Sequence, residues 1–81
     1  MCVPNFNCNG NYISGGNIDY GNHAARADLA LHEVIAFQDA VAKGDTLTNE
    51  QDTLIVVTAD HSHTLTISGY PSRGNPILGK V

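Results

Sequence analysis

One ten-residue stretch, LIVVTADHSH at 54–63, constrains this chain more than any other. Its apolar half, 54–58, is short, continuous and rich in β-branched residues, which is typical of an inner strand of a parallel sheet. Its polar half places Asp60, His61 and His63 directly after that predicted strand. Open α/β sheets gather ligands beyond the carboxyl ends of such strands. Because zinc prefers carboxylate and imidazole ligands, the stretch indicates a metal site at the strand end.

The same stretch has a second interpretation that needs no metal. Asp60 would then cap the strand end, and His61 and His63 would be solvated side chains. The metal interpretation requires that the strand has already ended at Asp60, so that the adjacent His61 can face the same ion. Side chains of an extended segment alternate between its two faces, so His63 then lies on the same side as His61. Both interpretations stay open on these residues alone.

A second carboxylate–histidine pair precedes a long helical signal. Asp19 and His23 are four positions apart, so a helix would place them on one face, where they can share a metal ion. The alternative is that Asp19 or Asn22 is a helix N-cap. Apolar residues recur at helical spacing over 23–43, and Lys43 followed by Gly44 predicts that the helix ends there. The apolar stripe comprises Ala27, Ala30, Leu31, Val34, Phe37 and Val41.

The other segments complete a small α/β pattern. A polar connection at 45–52 joins the helix to the buried strand, and the three together are half of a βαβ crossover. Alternation over 64–67 predicts a further strand with one wet face, and 68–79 is rich in turn residues. Residues 1–13 are rich in Asn, with Gly and Pro, and show no period, so we predict an irregular leader before a single unit at 14–81.

Charge and length exclude several classes of function. The net charge is −4 and the four basic residues are scattered, which argues against electrostatic binding to nucleic acid or to an anionic membrane surface. No apolar run approaches the ~20 residues of a membrane span, and the first twelve residues lack the pattern of a secretory signal. Cys2 and Cys8 could form a small disulfide loop or remain free thiols.

Four motifs taken together resemble animal alkaline phosphatases. They are GGNIDYGNH at 15–23, ALHE at 30–33, DTLIVVTADHSH at 52–63 and GYPSRGNPILG at 69–79. The resemblance covers about residues 14–80. It implies a partial α/β fold, namely a fragment of a parallel-sheet three-layer sandwich with one long helix, a buried strand, and a following strand and loop.

The resemblance also implies roles for individual residues. The family enzyme is a zinc and magnesium phosphomonoesterase with a phosphoserine intermediate. Asp19 and His23 match ligands of the first zinc, which serves the leaving-group oxygen and later the attacking water. Asp60 and His61 match ligands of the second zinc, which holds the serine nucleophile. His63 matches a histidine that hydrogen-bonds Asp19. In such sites two ions roughly 3.5–4 Å apart clamp the attacking and leaving oxygens.

The chain also departs from the family pattern. Ser14 stands where the family has a magnesium-binding glutamate, and a short, uncharged hydroxyl counts against magnesium here. The nucleophilic serine, the aspartate that bridges zinc and magnesium, the phosphate-binding arginine and the third histidine of the first zinc belong to family segments outside the match. We therefore expect these 81 residues to supply part of a two-zinc site and to have no turnover alone.

Other functions remain as alternatives. The chain could be a non-catalytic zinc-binding fragment or a truncated gene product. It could also belong to a related metal-dependent phosphodiesterase or phosphomutase, since these enzymes share an Asp-His metal pair. Kinship with the family further implies a phosphate monoester as the substrate and homodimers among complete members. It also implies a location outside the cell at the plasma membrane, although we expect neither a signal peptide nor an anchor in this sequence.

Overall fold

Two helices form the regular structure of this protein in a computed structural model, which describes residues 9–79. Helix α1 spans Asn17–His23 and helix α2 spans Ala27–Leu47. Within 9–79 no residue belongs to a strand. The long helix of the sequence prediction is therefore confirmed as α2, and a short helix precedes it.

A tight turn at 24–26 separates the two helices, where the sequence predicted one helix from residue 23 onwards. Ala25 has φ 53°, in the left-handed region that interrupts a right-handed helix. The Arg26 backbone N–H donates to the Gly21 carbonyl at 2.8 Å, which closes the turn. Because the chain reverses here, α2 begins at Ala27 rather than at residue 23.

The predicted end of the long helix at Gly44 is also wrong. Helix α2 continues to Leu47, and Thr48 is its C-cap residue. The Thr48 hydroxyl donates to the Gly44 carbonyl at 2.9 Å, and the Thr46 hydroxyl donates to the Lys43 carbonyl at 2.9 Å. The Thr48 hydroxyl thereby satisfies the Gly44 carbonyl, one of the last four carbonyl groups of the helix, which lack intrahelical partners, so the helix passes through the glycine.

Close packing between Gly21 and Ala30 joins the two helices. Ala30 is 3% exposed, and a Cβ atom on Gly21 would lie 2.8 Å from the Ala30 nitrogen. Leu31 and Phe37 of the predicted apolar stripe are half-buried, whereas Val34 is 45% exposed. The stripe is correctly placed on α2, but little of the described chain covers it.

The strands predicted at 54–58 and 64–67 are absent. Leu54 and Val56 are 87% and 74% exposed, and no other part of residues 9–79 pairs with either segment. A strand exists only by sharing hydrogen bonds with a neighbour, so an apolar run without one stays irregular. The Cα radius of gyration is 17.9 Å, compared with about 12 Å for a compact chain of this length. The helical part of the predicted α/β fold is thus observed, and its sheet is not.

Two further predictions concern the ends and the surface of the chain. Cys2 and Cys8 lie outside the described residues, as does most of the predicted leader at 1–13. Among residues 9–79, no helix is long and apolar enough to cross a membrane.

Candidate metal centre

Helix α1 brings the first carboxylate–histidine pair together. Asp19 lies in its first turn and His23 in its last turn, so four positions place the two side chains on the same face. The distance between His23 Nε2 and Asp19 Oδ2 is 3.4 Å. The pairing that the sequence spacing predicted is present in the structure, and Asp19 does not act as the N-cap of the helix, which is Gly16.

The segment after the apolar run meets α1 at Asp19. His61 Nε2 lies 3.7 Å from Asp19 Oδ1, and His63 Nε2 lies 4.0 Å from the same oxygen. Two segments about 40 positions apart in the sequence therefore converge on one carboxylate.

Asp60 occupies the outer edge of this cluster. Its side chain is 92% exposed, and its Oδ2 atom lies 3.8 Å from His61 Nε2. Its other oxygen, Oδ1, accepts a hydrogen bond from the His61 backbone N–H at 3.1 Å. Asp60 thus joins the cluster through His61.

Backbone carbonyl groups fix the orientation of two histidine rings. His61 Nδ1 donates to the Ser62 carbonyl at 2.8 Å, and His63 Nδ1 donates to the Thr64 carbonyl at 2.9 Å. A carbonyl oxygen can only accept, so the hydrogen of each neutral ring is on Nδ1 and the lone pair is on Nε2. Both Nε2 atoms are the ones near Asp19. This is the arrangement in which a protein prepares an imidazole to bind a metal ion.

The same contacts affect the charge of His61. The hydrogen bond to the Ser62 carbonyl raises the pKa of His61 above its ordinary value, and the negative charge of Asp60 adds to this effect. Partial desolvation acts in the opposite direction, and the Asp19 carboxylate makes the smallest upward contribution. Because a metal ion binds the neutral ring, protons and metal compete for His61.

The cluster fits a zinc ion. Within residues 9–79, Asp19 Oδ1 is inaccessible to solvent and has no hydrogen-bond partner, which is costly for a carboxylate oxygen unless a cation or donor reaches it. Asp19, His23 and His63 each offer one ligand atom, and these three atoms lie within 4.8 Å of one another. Ligand atoms at ~2.0–2.1 Å from a tetrahedral zinc ion are about 3.4 Å apart. The Asp19–His23 pair already has this spacing, and the other distances need only a small contraction.

His63 lies beside Asp19 and also contacts a second histidine. The resemblance assigned it to Asp19 as a hydrogen-bond partner, whereas its ring also contacts His23, edge to face, with centroids 4.7 Å apart and an interplanar angle of 88°. No spacing rule in the sequence groups these two rings. The only available signal was the period of two that returns His63 to the side of His61.

Ser14, which the resemblance matches to a magnesium-binding glutamate, does not belong to the group formed by Asp19, His23 and His63. It is exposed and lines a shallow groove with Glu33 and Phe37. Magnesium is bound through carboxylates and water, and a serine hydroxyl offers no charge to it.

Comparison with known proteins identifies the family. The alkaline phosphatase family profile matches residues 5–81. The tissue-nonspecific alkaline phosphatase isozyme of Rattus norvegicus is 51% identical over 67 residues, which are 83% of this chain and 13% of that protein. The corresponding isozyme of Gallus gallus is 52% identical with the same coverage. Alkaline phosphatase of Gadus morhua is 45% identical over 75 residues, which are 90% of this chain and 16% of that protein.

No solved structure matches the chain significantly. The chain spans about an eighth of the length of the tissue-nonspecific relatives, but the family match covers nearly all of the chain itself. The resemblance carried by the four sequence motifs is confirmed. This chain belongs to the alkaline phosphatase family.

Proposed function

We propose that this chain supplies part of the two-zinc centre of a phosphate monoester hydrolase that acts through a phosphoserine intermediate. The observation that carries the proposal is the convergence of α1 and the 60–63 segment on Asp19. Membership of the alkaline phosphatase family supports a phosphatase function. The named relatives favour phosphomonoester hydrolysis over the phosphodiesterase and phosphomutase alternatives.

In this proposal, Asp19 and His23 hold the first zinc ion, and Asp60 and His61 hold the second. Zinc bound at such a centre neutralises phosphoryl oxygens and activates the attacking group. The residues of this chain contribute position and charge. Asp19 links the two clusters through its two carboxylate oxygens, while the Ser62 carbonyl keeps the Nε2 lone pair of His61 directed toward the centre.

The charge of the chain supports a metal-dependent route. With a net charge of −4, the protein has no excess of basic side chains for an anionic phosphate ester. Bound metal must therefore supply most of the positive charge at the site. Zinc has suitable ligands here, whereas the exposed hydroxyl of Ser14 gives magnesium no carboxylate at that position. The proposal therefore includes two zinc ions and leaves this magnesium position out.

The complete protein would act on phosphate monoesters as a homodimer outside the cell at the plasma membrane. These expectations rest on kinship with the family. The serine that forms the phosphoenzyme would come from another part of that protein, since none of the matched motifs contains it.

A second candidate function is zinc binding without turnover. The observation that favours it is that one carboxylate and two imidazoles come together within a chain spanning 13% of its relatives. This cluster needs no further segment to bring its three ligand atoms within 4.8 Å.

Zinc and phosphate titrations of the whole chain test the proposal. We expect zinc to bind, and we expect inorganic phosphate, the product of hydrolysis, to bind the zinc-loaded chain only. The double variant Asp60→Ala/His61→Ala should lose phosphate binding, while the matched double variant Asp39→Ala/His32→Ala, at exposed positions of α2, should retain it.

Two outcomes decide between the candidates. A chain that binds zinc but never phosphate would contradict the hydrolase proposal and support the zinc-binding candidate. Sustained hydrolysis of a chromogenic phosphate monoester that disappears in Asp60→Ala would show that the chain is catalytic without further segments.

A further inference from the structure

We propose that the Asn9–Gly10 pair is a site of spontaneous chemical modification, at which Asn9 loses its side-chain amide and becomes aspartate or isoaspartate. The pair belongs to the Asn-rich segment that precedes α1 and takes no part in the candidate metal centre. The inference is therefore independent of the proposed function. Its reactants are the chain itself and water.

The reaction is an attack by one peptide nitrogen on the side chain that precedes it. The backbone nitrogen of Gly10 gives up its proton to hydroxide and forms a bond with Cγ of Asn9. The bond between Cγ and the side-chain nitrogen then breaks, and that nitrogen takes up a proton and leaves as ammonia. The product is a cyclic imide. Water opens this ring at Cγ to give aspartate, or at the backbone carbonyl carbon to give isoaspartate, in which the main chain runs through Cγ.

Gly10 favours ring closure because its nitrogen can approach the side chain of Asn9. Both residues are exposed and lie outside the two helices. Within residues 9–79, Gly10 makes no backbone hydrogen bond that would hold its N–H in one direction. A Cβ atom added to Gly10 would have no atom within 4 Å, so the space around this residue is open. Glycine also permits more backbone conformations than residues with a Cβ atom, which helps the nitrogen to reach Cγ.

The asparagines of α1 lack this freedom. Asn17 begins the helix, and the nitrogen that follows it, that of Ile18, donates to the Gly15 carbonyl at 3.0 Å. The side-chain amide of Asn22 donates to the Ile18 carbonyl at 3.0 Å. A helix directs each backbone N–H along its axis to an earlier carbonyl and fixes the dihedral angles that ring closure must change. We therefore expect both amides to persist.

Two asparagines beyond α2 are protected for other reasons. Asn75 precedes Pro76, whose nitrogen carries no hydrogen and cannot become the attacking group. Asn49 Oδ1 accepts a hydrogen bond from the Gln51 backbone N–H at 3.0 Å, which orients this side chain within a turn. Neither residue has a glycine after it.

Asn11 is the closest comparison to Asn9 within the described chain. It is exposed and lies in the same irregular segment, but it precedes Tyr12 instead of a glycine. The tyrosine side chain crowds the backbone nitrogen and narrows its range of conformations. Exposure, irregular backbone and a following glycine thus coincide at Asn9, and Asn11 differs from it in the last of these alone.

The modification changes the charge and the main chain of this segment. A carboxyl group with an ordinary pKa of about 3.9 is ionised at neutral pH. Each conversion therefore adds one negative charge to a chain whose net charge is −4. Isoaspartate also lengthens the main chain by a methylene carbon. Both changes precede Gly16, the N-cap of α1, so we expect the helix content to stay the same.

Incubation of the whole chain at physiological temperature in mildly alkaline buffer tests the proposal. Peptide mass spectrometry with electron-transfer fragmentation then locates each lost amide and distinguishes aspartate from isoaspartate. We expect Asn9 to lose its amide at least about tenfold faster than Asn11, with isoaspartate among the products. The matched variant Gly10→Ala should slow the loss at Asn9 by at least about tenfold, and its added methyl group meets no neighbouring atom.

Three results would overturn the assignment. The first is loss of the Asn9 and Asn11 amides at equal rates. The second is a Gly10→Ala chain that loses the Asn9 amide at the wild-type rate. The third is a product at Asn9 that is aspartate alone, because direct hydrolysis by water without ring closure gives no isoaspartate. None of these measurements involves zinc, so each result leaves the proposed function unchanged.

Discussion

Substitution of Gly21 by alanine tests whether the α1–α2 junction positions the metal ligands. The added Cβ atom would lie 2.8 Å from the Ala30 nitrogen, 3.0 Å from its Cα and 3.2 Å from its Cβ. Two of these are backbone atoms, so the helices must separate rather than a side chain rotate. Because α1 carries Asp19 and His23 while residues 64–66 line a groove at the same junction, this separation moves the ligands apart.

Two opposing effects determine how much Gly21→Ala changes the free energy of packing α1 against α2. Alanine is favoured over glycine inside a helix by roughly 0.8–1 kcal/mol. Overpacking costs typically ~1–3 kcal/mol, and the contacts with backbone atoms at 2.8 and 3.0 Å place Gly21→Ala toward the upper end of that range, at about 2–3 kcal/mol. A net loss of about 1–2 kcal/mol at Gly21 corresponds to a roughly 5- to 30-fold decrease in zinc affinity if the bound state requires the packed junction.

Gly44→Ala is the matched control, because nothing lies within 4 Å of its added Cβ atom and only the gain in helix propensity applies. We expect circular dichroism to show less helix in Gly21→Ala and as much or more in Gly44→Ala, and a zinc titration to show weaker binding for Gly21→Ala alone. Equal helix content and equal zinc affinity in the two variants would refute the reasoning.

Three further predictions follow from individual contacts. Asp19→Asn should weaken zinc binding by more than about tenfold, because it removes the negative charge that three histidines face. The control variant Asp39→Asn, on the exposed side of α2, should bind zinc like the wild type, and equal zinc titration curves for the two variants would contradict this prediction. The Arg26 side chain lowers the pKa of Asp28 from 3.8 to about 2 through its hydrogen bonds and its charge. The pair therefore contributes fully to the stability of the turn above pH 3.8, and this contribution is lost as the pH falls through about 2. Arg26→Ala should raise the pKa of Asp28 toward its ordinary value in a carboxyl resonance titration, and an unchanged pKa would exclude the pair as its cause. Zinc affinity should fall with decreasing pH, and the fall should begin above the ordinary histidine value because the Ser62 carbonyl and Asp60 raise the pKa of His61, for which protons compete with the metal; a pH-independent affinity would exclude His61 as a ligand.

The sequence predicted those parts of the structure that depend on local spacing. The apolar stripe placed α2 correctly, because helical periodicity is a property of the segment itself. The four-residue interval between Asp19 and His23 likewise gave their contact in α1. The helix boundaries were missed, because the positive φ of Ala25 and the threonine hydrogen bonds beyond Gly44 have no clear sequence signal.

The sheet could not be predicted from the apolar run at 54–58 alone. Strand formation depends on partners elsewhere in a chain, and nothing within residues 9–79 pairs with this run. The orientation of the His63 ring had a different obstacle. Its tautomer is set by the Thr64 carbonyl, a backbone group whose direction depends on the local conformation and not on the residue type.

The central claim is that α1 and the 60–63 segment hold one metal centre between them. X-ray absorption spectroscopy at the zinc edge tests it, on the whole chain with one equivalent of zinc at about pH 8. We expect a first shell of nitrogen and oxygen atoms at about 2.0–2.1 Å, with the outer-shell scattering of imidazole rings, and loss of that scattering in His23→Ala/His61→Ala. A zinc ion surrounded only by oxygen ligands, or a spectrum unaffected by that double substitution, would contradict it.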